Sequence, residues 1–297
     1  MPPSGDTFVT DVSEGLDTTI LSARSTREYP ADVMLKLVDR QTLTEGTGTA
    51  WREFLAAALT AQDAGENDEI DNPQALDGST ISITPTLVVV QTFIGDRVKL
   101  RLNTKAYATF GRLGQQAIDR KKDTDLLAIF STFTAGIAGT GVTLTSGHVR
   151  AAIEVILADA NEPGPTPIVG VFHGYGINDI MSEVIAGVGT YPIPEGYTEM
   201  AWKNGMTGLT IDGAEIYRDG LITVDSTPDA RGAVFSRGTG GAIILVQGKS
   251  PWRSERYEPQ KGYGGWNVWL KDEYASAERS PSNWARGILH DATAPTS

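Results

Sequence analysis

The residues that could do chemistry in this sequence are few and far apart. Three histidines, His148, His173 and His290, stand alone, since none has a second histidine or a carboxylate at the spacing of a known metal-binding motif. There is no cysteine, which excludes a thiol nucleophile, a thiolate metal site and disulfide bonds. Neither a GxSxG serine motif nor a GxxxxGK phosphate loop ending in Ser or Thr occurs. We therefore predict no enzymatic activity, no catalytic or cofactor-binding residue, no cofactor and no metal ligand.

Two further stretches look like ligand loops but lack the required pattern. The glycines of GIAGTG, residues 136–141, have the wrong spacing for a nucleotide loop, so we predict a flexible joint there. The acidic residues 63–71 resemble a calcium loop, yet Asp68 replaces the turn glycine of an EF-hand and Gln74 replaces its bidentate glutamate. We predict a solvated loop instead. Carboxylates that are distant in the sequence can still meet in the folded chain. A soluble α+β enzyme with an unrecognised carboxylate site therefore remains an alternative.

Composition indicates a folded protein with an acidic surface. Hydrophobic residues make up 40% of the 297 residues, and the formal net charge is −12. Because an acidic surface repels phosphate and anionic lipid, sequence-specific DNA binding is disfavoured. The N-terminal stretch has no basic segment followed by an apolar one, and the apolar runs are far shorter than a membrane span, so no membrane partner is predicted.

The first half of the chain predicts an arm, a strand-rich segment and a long helix. Residues 1–35 have few large apolar side chains and fit an arm that orders on a partner. Residues 49–62, TAWREFLAAALTAQ, fit a helix or a strand equally well by spacing. ISITPTLVVVQTFI predicts a strand with an edge or a bulge at Pro85.

The long helix starts near Asn103, a good N-cap, and extends to about residue 133. Its apolar stripe is interrupted by the polar run DRKKDTD, residues 119–125. This run is either a wet surface patch or a break in the helix that Asp123 or Thr124 caps again.

The second half of the chain predicts a mixed region of helices and strands. Helices at 147–160 and 176–186 flank PIVGVF, which has the composition of a buried strand. The pair Asp212 and Gly213 between alternating residues predicts a two-residue hairpin turn. Further strands are predicted at 220–225, 232–236, 242–247, 252–258, 265–272 and 284–289.

Charge is unevenly divided between two adjacent segments. Residues 45–96 contain nine acids and one base, whereas residues 97–122 contain eight bases and one acid. The two segments either neutralise each other within one subunit, or the acidic loop docks on the basic segment of a neighbouring subunit. The contact candidates for docking are Asp68, Glu69 and Asp71 on the acidic side and Arg97, Lys99 and Arg101 on the basic side.

This order of parts resembles the major capsid proteins of tailed bacteriophages, which have the Hong Kong 97-like fold. Residues 1–35, the strand segment ISITPTLVVVQTFIGDRV and the helix YATFGRLGQQAIDRKKDTDLLAIF are similar to that family's N-terminal arm, extended β-hairpin loop and spine helix. RSERYEPQKGYGGWNVWLKDEYASAE is similar to the returning strands of its peripheral domain. The resemblance covers nearly the whole chain but includes no single diagnostic motif, and it favours a strand for residues 49–62.

The resemblance implies an α+β fold with defined parts. The implied parts are an N-terminal arm at 1–35, an extended loop at 45–95, a peripheral domain of 36–44, 96–145 and 249–275 with the spine helix at 103–133, and an axial domain of 146–248 and 276–297.

The function implied by the resemblance is structural. Copies of the chain would assemble as hexamers and pentamers into the icosahedral shell around phage double-stranded DNA, which is held without sequence specificity. The implied partners are a separate scaffolding protein, a portal and, in some relatives, a cement protein. The implied locations are the virion capsid and, during assembly, the host cytoplasm. An encapsulin-like nanocompartment shell, which encloses an enzyme, is the alternative within the same fold.

Several residues acquire a role only through this resemblance. The apolar residues Trp51, Phe54 and Leu55 would be covered by an adjacent subunit or would pack on their own subunit. Residues 45–96 contain no lysine, so the lysine-to-asparagine cross-link of some relatives is not expected. The contact candidates on the extended loop are Trp51, Arg52, Phe54 and Leu55, and the candidates for facing the shell interior are Lys105, Arg112, Lys121 and Lys122.

Overall fold

The computed structural model is an α+β fold, as predicted, with helices packed on β-sheets. It describes residues 33–44, 48–56, 59–61, 63–64, 74–75, 77–101, 104–134, 136–160, 162–187, 210–261, 264–279 and 283–295. The predicted arm therefore lies almost wholly outside the described residues. No described helix is both long and apolar enough to cross a membrane.

The elements follow one another in a mixed order along the chain. The helices are α1 (Val33–Leu37), α2 (Asp96–Arg101), α3 (Thr104–Ala128), α4 (Ser146–Leu157) and α5 (Gly174–Gly187). The strands are β1 (Asp39–Thr42), β2 (Trp51–Ala56), β3 (Gly78–Ile83), β4 (Thr86–Gly95), β5 (Ile137–Ala138), β6 (Ile168–Phe172), β7 (Thr210–Ile211), β8 (Ala214–Arg218), β9 (Asp229–Ser236), β10 (Ile243–Tyr257), β11 (Gly265–Glu278) and β12 (Ala285–Asp291).

A four-stranded sheet, in the order β1-β10-β11-β4, is built around two long antiparallel strands. The separate strands predicted at 242–247 and 252–258 are one strand, β10, with register shifts at Lys249. Strand β10 starts at Ile243, so it crosses the predicted boundary between the axial and peripheral domains at residue 248. Strand β11 continues to Glu278, beyond the predicted end at 272. The extra length matters because Tyr274, which lies beyond the predicted end, donates a hydrogen bond of 2.8 Å to Asp125 of α3.

A six-stranded sheet, in the order β5-β12-β9-β6-β8-β7, is covered on one face by α4 and α5. Strand β6 is buried at every position, as its composition predicts. Asp212 and Gly213 form the predicted turn between β7 and β8, with positive φ angles of 50° and 81°. Two predictions are wrong: residues 220–225 form a turn with a single bridge at Val224, and the predicted joint at 136–141 contains the edge strand β5.

Helix α3 starts one residue after the predicted N-cap and ends in a 3-10 turn, Ile129–Ser131. It lies directly on the four-stranded sheet, since a Cβ atom on Gly114 would be 2.2 Å from Leu270 Cδ1. Its C-terminal part reaches the core between the two sheets. That core includes Met34, Leu126, Phe130, Val169, Val171, Ala233, Phe235, Ile243, Leu245 and Tyr274.

The polar run of α3 is not a break, and it is a wet surface patch only in part, since Arg120, Lys121 and Thr124 are exposed. The helix continues through it, and Lys122 and Asp123 are buried. Lys122 Nζ lies 2.5 Å from Asp272 Oδ2 on β11, and Asp123 Oδ1 accepts a hydrogen bond of 3.0 Å from the amide of Met34 on α1. The run is where α3 is joined by polar contacts to two neighbouring elements.

We predict that Lys122→Met destabilises the subunit by about 3–5 kcal/mol, because it leaves the buried carboxylate of Asp272 without its cation. The measurement is urea unfolding of the purified full-length chain. The matched control is Lys121→Met one position earlier, since Lys121 makes an exposed pair with Asp125 that is worth less than about 1 kcal/mol. Equal losses in the two variants would contradict this account of the buried pair.

Candidate functional site

The most distinctive surface feature is a two-stranded hairpin formed by β2 and β3. The strands pair from Trp51 opposite Ile83 to Ala56 opposite Gly78, which confirms a strand within residues 49–62. Among the described strands, these two pair only with each other. The predicted single strand ISITPTLVVVQTFI is divided at Thr84 and Pro85, and β4 then pairs along its length with β11. Within the segment predicted as an extended loop, residues 45–95, the hairpin therefore ends at Ile83. The remaining residues form β4, which belongs to the four-stranded sheet.

The base of the hairpin packs on its own subunit. Ile83 is 5% exposed and lies in a small core with Ile244 and Val246 of β10. Trp51 is half-buried against the same core. Trp51 was expected either to be covered by an adjacent subunit or to pack on its own subunit. The described residues show that it packs on its own subunit.

A buried arginine fastens the hairpin to the four-stranded sheet. Arg279, which directly follows β11, donates from Nε to Glu53 Oε2 at 2.8 Å and from Nη2 to Asp39 Oδ2 at 2.6 Å. Its Nη1 donates to the carbonyl of Gly241 at 2.9 Å. Because the guanidinium is planar and holds its donors in fixed directions, three contacts fix the position of β2 relative to β1 and β10.

The outer part of the hairpin presents an unburied aromatic ring. Phe54 is 55% exposed, and its ring lies close to Gly78 on the paired strand. Arg52 is also exposed, whereas Leu55 is half-buried. A large aromatic side chain left half in water on a projecting strand is a candidate for contact with another molecule.

The structure gives the basic candidates different environments. Arg97 on α2 and Arg112 on α3 are exposed, and Lys121 is exposed beside Asp125. Lys122 is only 6% exposed and is paired with Asp272, so its prediction as a residue facing the shell interior is wrong. The acidic residues Asp68, Glu69 and Asp71 and the side chains of Lys99, Arg101 and Lys105 lie outside the described residues.

The three histidines have structural surroundings. His148 completes a capping box with Thr145 at the start of α4. His173 Nδ1 accepts the amide of Tyr175 at 3.3 Å, and burial lowers its pKa. His290 is fully buried with its ring edge-on to Phe172, and burial lowers its pKa too. Over the part of the chain that the structure describes, no three His, Cys, Asp or Glu side chains form a group that could hold a metal ion.

Sequence reasoning missed the residues that fix the geometry of the hairpin. Arg279 is separated from Glu53 by 226 positions and from Asp39 by 240 positions, so no local pattern marks the three as partners. It also missed the pairing of Lys122 with Asp272. The available signal was the placement of charged residues within the apolar stripe of α3, where a buried charge requires a partner.

Comparisons with known proteins give structural matches only. No protein-family model and no curated protein sequence matches the chain. The capsid structure of cyanophage P-SCSP1u is 10% identical in sequence, with a TM-score of 0.67 over 91% of this chain and 90% of that one. The capsid of cyanophage Pam1 is 10% identical, with a TM-score of 0.68 over 92% and 96%. The SrpI encapsulin of Synechococcus elongatus is 11% identical, with a TM-score of 0.61 over 92% and 91%.

The likeness extends over about nine-tenths of this chain and of each matched chain. Sequence identity near one residue in ten means that the shared feature is the architecture. The chain therefore has the fold of the tailed-phage major capsid proteins.

Proposed function

We propose that this chain is the major capsid protein of a tailed bacteriophage. Copies assemble as hexamers and pentamers into an icosahedral shell around packaged double-stranded DNA, which the shell confines without reading its sequence. The observation that carries the proposal is the likeness to phage capsid chains over almost their entire length. A structural subunit of this kind needs no catalytic residue.

Within this proposal, the elements take the parts of the Hong Kong 97-like fold. Helix α3 is the spine helix, and the hairpin β2–β3 is the extended loop. The four-stranded sheet and α3 make the peripheral domain, and the six-stranded sheet with α4 and α5 makes the axial domain. Residues 1–32, which precede α1, are the arm that orders on neighbouring subunits; residues 33–35 of the predicted arm belong to α1 instead. A separate scaffolding protein, a portal and a cement protein are the expected partners, with assembly in the host cytoplasm and a final location in the virion.

The hairpin supplies a physical reason for self-association. In a shell each subunit offers one surface to a different surface of its neighbour, and repetition of this contact closes the particle. Arg279 and the small core under Trp51 hold the base of the hairpin, while Phe54 stays exposed near its outer part. We propose that a neighbouring subunit covers Phe54, together with Arg52 and Leu55, and that several such modest contacts add up across the shell.

An encapsulin-like shell is the second candidate, because the SrpI encapsulin matches this chain over a similar length. The two functions differ in contents rather than in fold. A phage capsid encloses DNA, and an encapsulin encloses an enzyme.

Electron microscopy of the purified full-length chain tests the shared part of the proposal. We expect closed icosahedral shells, and particles isolated from the natural source should contain double-stranded DNA. Particles filled with one enzyme would favour the encapsulin function. A chain that stays monomeric in every assembly condition, and so forms no shells at all, would contradict both.

We predict that Phe54→Asp prevents shell formation, because burying a carboxylate in an apolar contact is unfavourable. The folded subunit should lose no more than about 1 kcal/mol of stability, since Phe54 is only half-buried there and Asp is a poorer strand residue than Phe. Shell yield by sedimentation and subunit unfolding by urea measure the two effects. Phe54→Leu, which keeps an apolar side chain, is the control and should still assemble; normal shells from Phe54→Asp would show that no neighbour covers this ring.

The acidic loop gives a separate prediction about electrostatic docking. Reversing Asp68, Glu69 and Asp71 to lysine should reduce shell yield much more than subunit stability, because it places like charges against the basic segment of a neighbour. The neutral set Asp68→Asn, Glu69→Gln and Asp71→Asn is the control and should lose less assembly. Sedimentation at several salt concentrations measures the effect, and normal yield from the lysine variant would refute docking.

A further inference from the structure

The start of α5 is held by two histidines from different elements, the first of which is His173. This residue directly precedes α5, and its carbonyl accepts the first hydrogen bond of the helix, from the amide of Ile177 at 3.2 Å. Its ring atom Nδ1 accepts the amide of Tyr175 at 3.3 Å. Because the first amides of a helix have no acceptor within the helix, the ring of His173 serves as the N-cap of α5.

The second histidine, His290 of β12, packs against the first turn of α5. A Cβ atom on Gly176 would lie 2.4 Å from His290 Cε1, so the imidazole occupies the space that a side chain at position 176 would need. The ring is fully buried and lies edge-on to Phe172 of β6, with 6.0 Å between the ring centroids. His290 therefore joins the first turn of α5 to β12.

The hydrogen bonds of both rings fit the neutral form of histidine. An amide can only donate, so Nδ1 of His173 carries no proton. A carbonyl oxygen can only accept, so Nδ1 of His290, which lies 2.7 Å from the carbonyl oxygen of Asp291, carries the proton. Nε2 of His290 is buried and has no hydrogen-bond partner among the described residues. A further proton would remove the cap of α5 at His173 and would create a buried N–H group without an acceptor at His290.

The start of α5 is also electrostatically unfavourable for a cation. The N-terminal end of a helix carries a partial positive charge. Arg218 already lies there, since a Cβ atom on Gly174 would be 3.4 Å from Arg218 Cδ. Burial lowers the pKa of His173, and His290 and Arg218 lower it further. Burial also lowers the pKa of His290.

The acidic side chains near the joint oppose this effect but do not reverse it. Attraction to Asp219 raises the pKa of His173, and attraction to Asp291 and Asp229 raises the pKa of His290, yet burial outweighs both. The acidic side chains of α5 itself are Asp179 and Glu183, of which Glu183 accepts the amide of Ser146 at the start of α4.

We propose that the start of α5 is an acid-sensitive joint, in which protonation of His173 and His290 uncaps the helix and releases its first turn from β12. Ile180, one turn later, is buried in the core that α5 shares with α4 and β6, so the opening stays local. The joint lies within one chain, and the inference does not depend on the proposed shell function.

The direction of the pH effect follows from linkage. Each histidine has a lower pKa in the closed joint than in the open joint, where the pKa returns to about 6.5. Below that pH the open joint therefore binds more protons than the closed one. The contribution of the joint to stability is complete above about pH 6.5 and is lost as the pH falls towards the lowered pKa values.

Hydrogen exchange of the purified full-length chain tests the joint at its own position. After correction for the intrinsic pH dependence of exchange, protection of the Tyr175 and Ile177 amides should be constant above about pH 6.5. At lower pH it should fall by up to about tenfold per pH unit for each histidine. The amide of Ile153 in α4, which packs on the same sheet, is the internal reference and should keep its protection. Protection of Tyr175 and Ile177 that follows that of Ile153 throughout would overturn the proposal.

Two substitutions remove the titrating groups and keep their hydrogen bonds. In His173→Asn the side-chain oxygen can still cap α5, and in His290→Asn the side-chain nitrogen can still donate to the carbonyl of Asp291. The chain with both substitutions should show no pH dependence of protection at Tyr175 and Ile177 relative to the α4 reference. His173→Asn alone should lose about half of the slope, and it carries the test if the smaller side chain at position 290 prevents folding. An unchanged slope in His173→Asn would refute the joint.

The matched controls replace the third histidine and an acid within α5. His148→Gln, at the start of α4, and Asp179→Asn, on α5, should both keep the pH dependence of the natural chain at Tyr175 and Ile177. Burial and the charge of Asp291 raise the pKa of Asp179, so this carboxyl is the competing source of a titration in α5. Loss of the pH dependence in Asp179→Asn would assign the titration to Asp179 and contradict the role of the histidines.

Discussion

The fold depends on one constraint, which is that two ionisable residues in the second half of α3, Lys122 and Asp123, are buried and need polar partners. A buried charge without a partner costs several kcal/mol, so each pairing fixes where a neighbouring element can lie. Lys122 fixes β11 through Asp272, and Asp123 fixes α1 through the amide of Met34. Tyr274 adds a second contact to β11 by donating to Asp125 at 2.8 Å. The apolar residues beside them then form the core between the two sheets.

The same constraint extends to the hairpin through the covalent chain. Strand β11 is held on α3 by Asp272 and Tyr274, and the residue that follows its end is Arg279. Arg279 binds Glu53 on β2, so the position of the hairpin is set relative to β11 and, through β11, relative to α3. The other strand of the hairpin leads by Thr84 and Pro85 into β4, which pairs with β11. Both ends of the hairpin are thus tied to one long strand.

Local features of the fold were predictable, and features that depend on distant pairing were not. The helices α4 and α5, the buried strand β6 and the turn at Asp212 follow from periodicity or composition within a few residues. The polar run of α3 was misread because its partners, Asp272 and Met34, lie far away along the chain. In the sequence, Pro85 was the only sign of the break between β3 and β4. The two strands belong to different sheets because β4 pairs with β11, and no local pattern shows that pairing. The exposure of Phe54 could be suspected from the sequence, but the arginine that holds its strand could not.

The paired charges also bear on how the acidic and basic segments are balanced. If the two segments simply neutralised each other, their buried or half-buried members would pair across that boundary. Glu53 of the acidic segment instead binds Arg279, and Lys122 of the basic segment binds Asp272. Each is satisfied by a residue from the C-terminal third of the chain, so these pairs stabilise the subunit without drawing the two segments together.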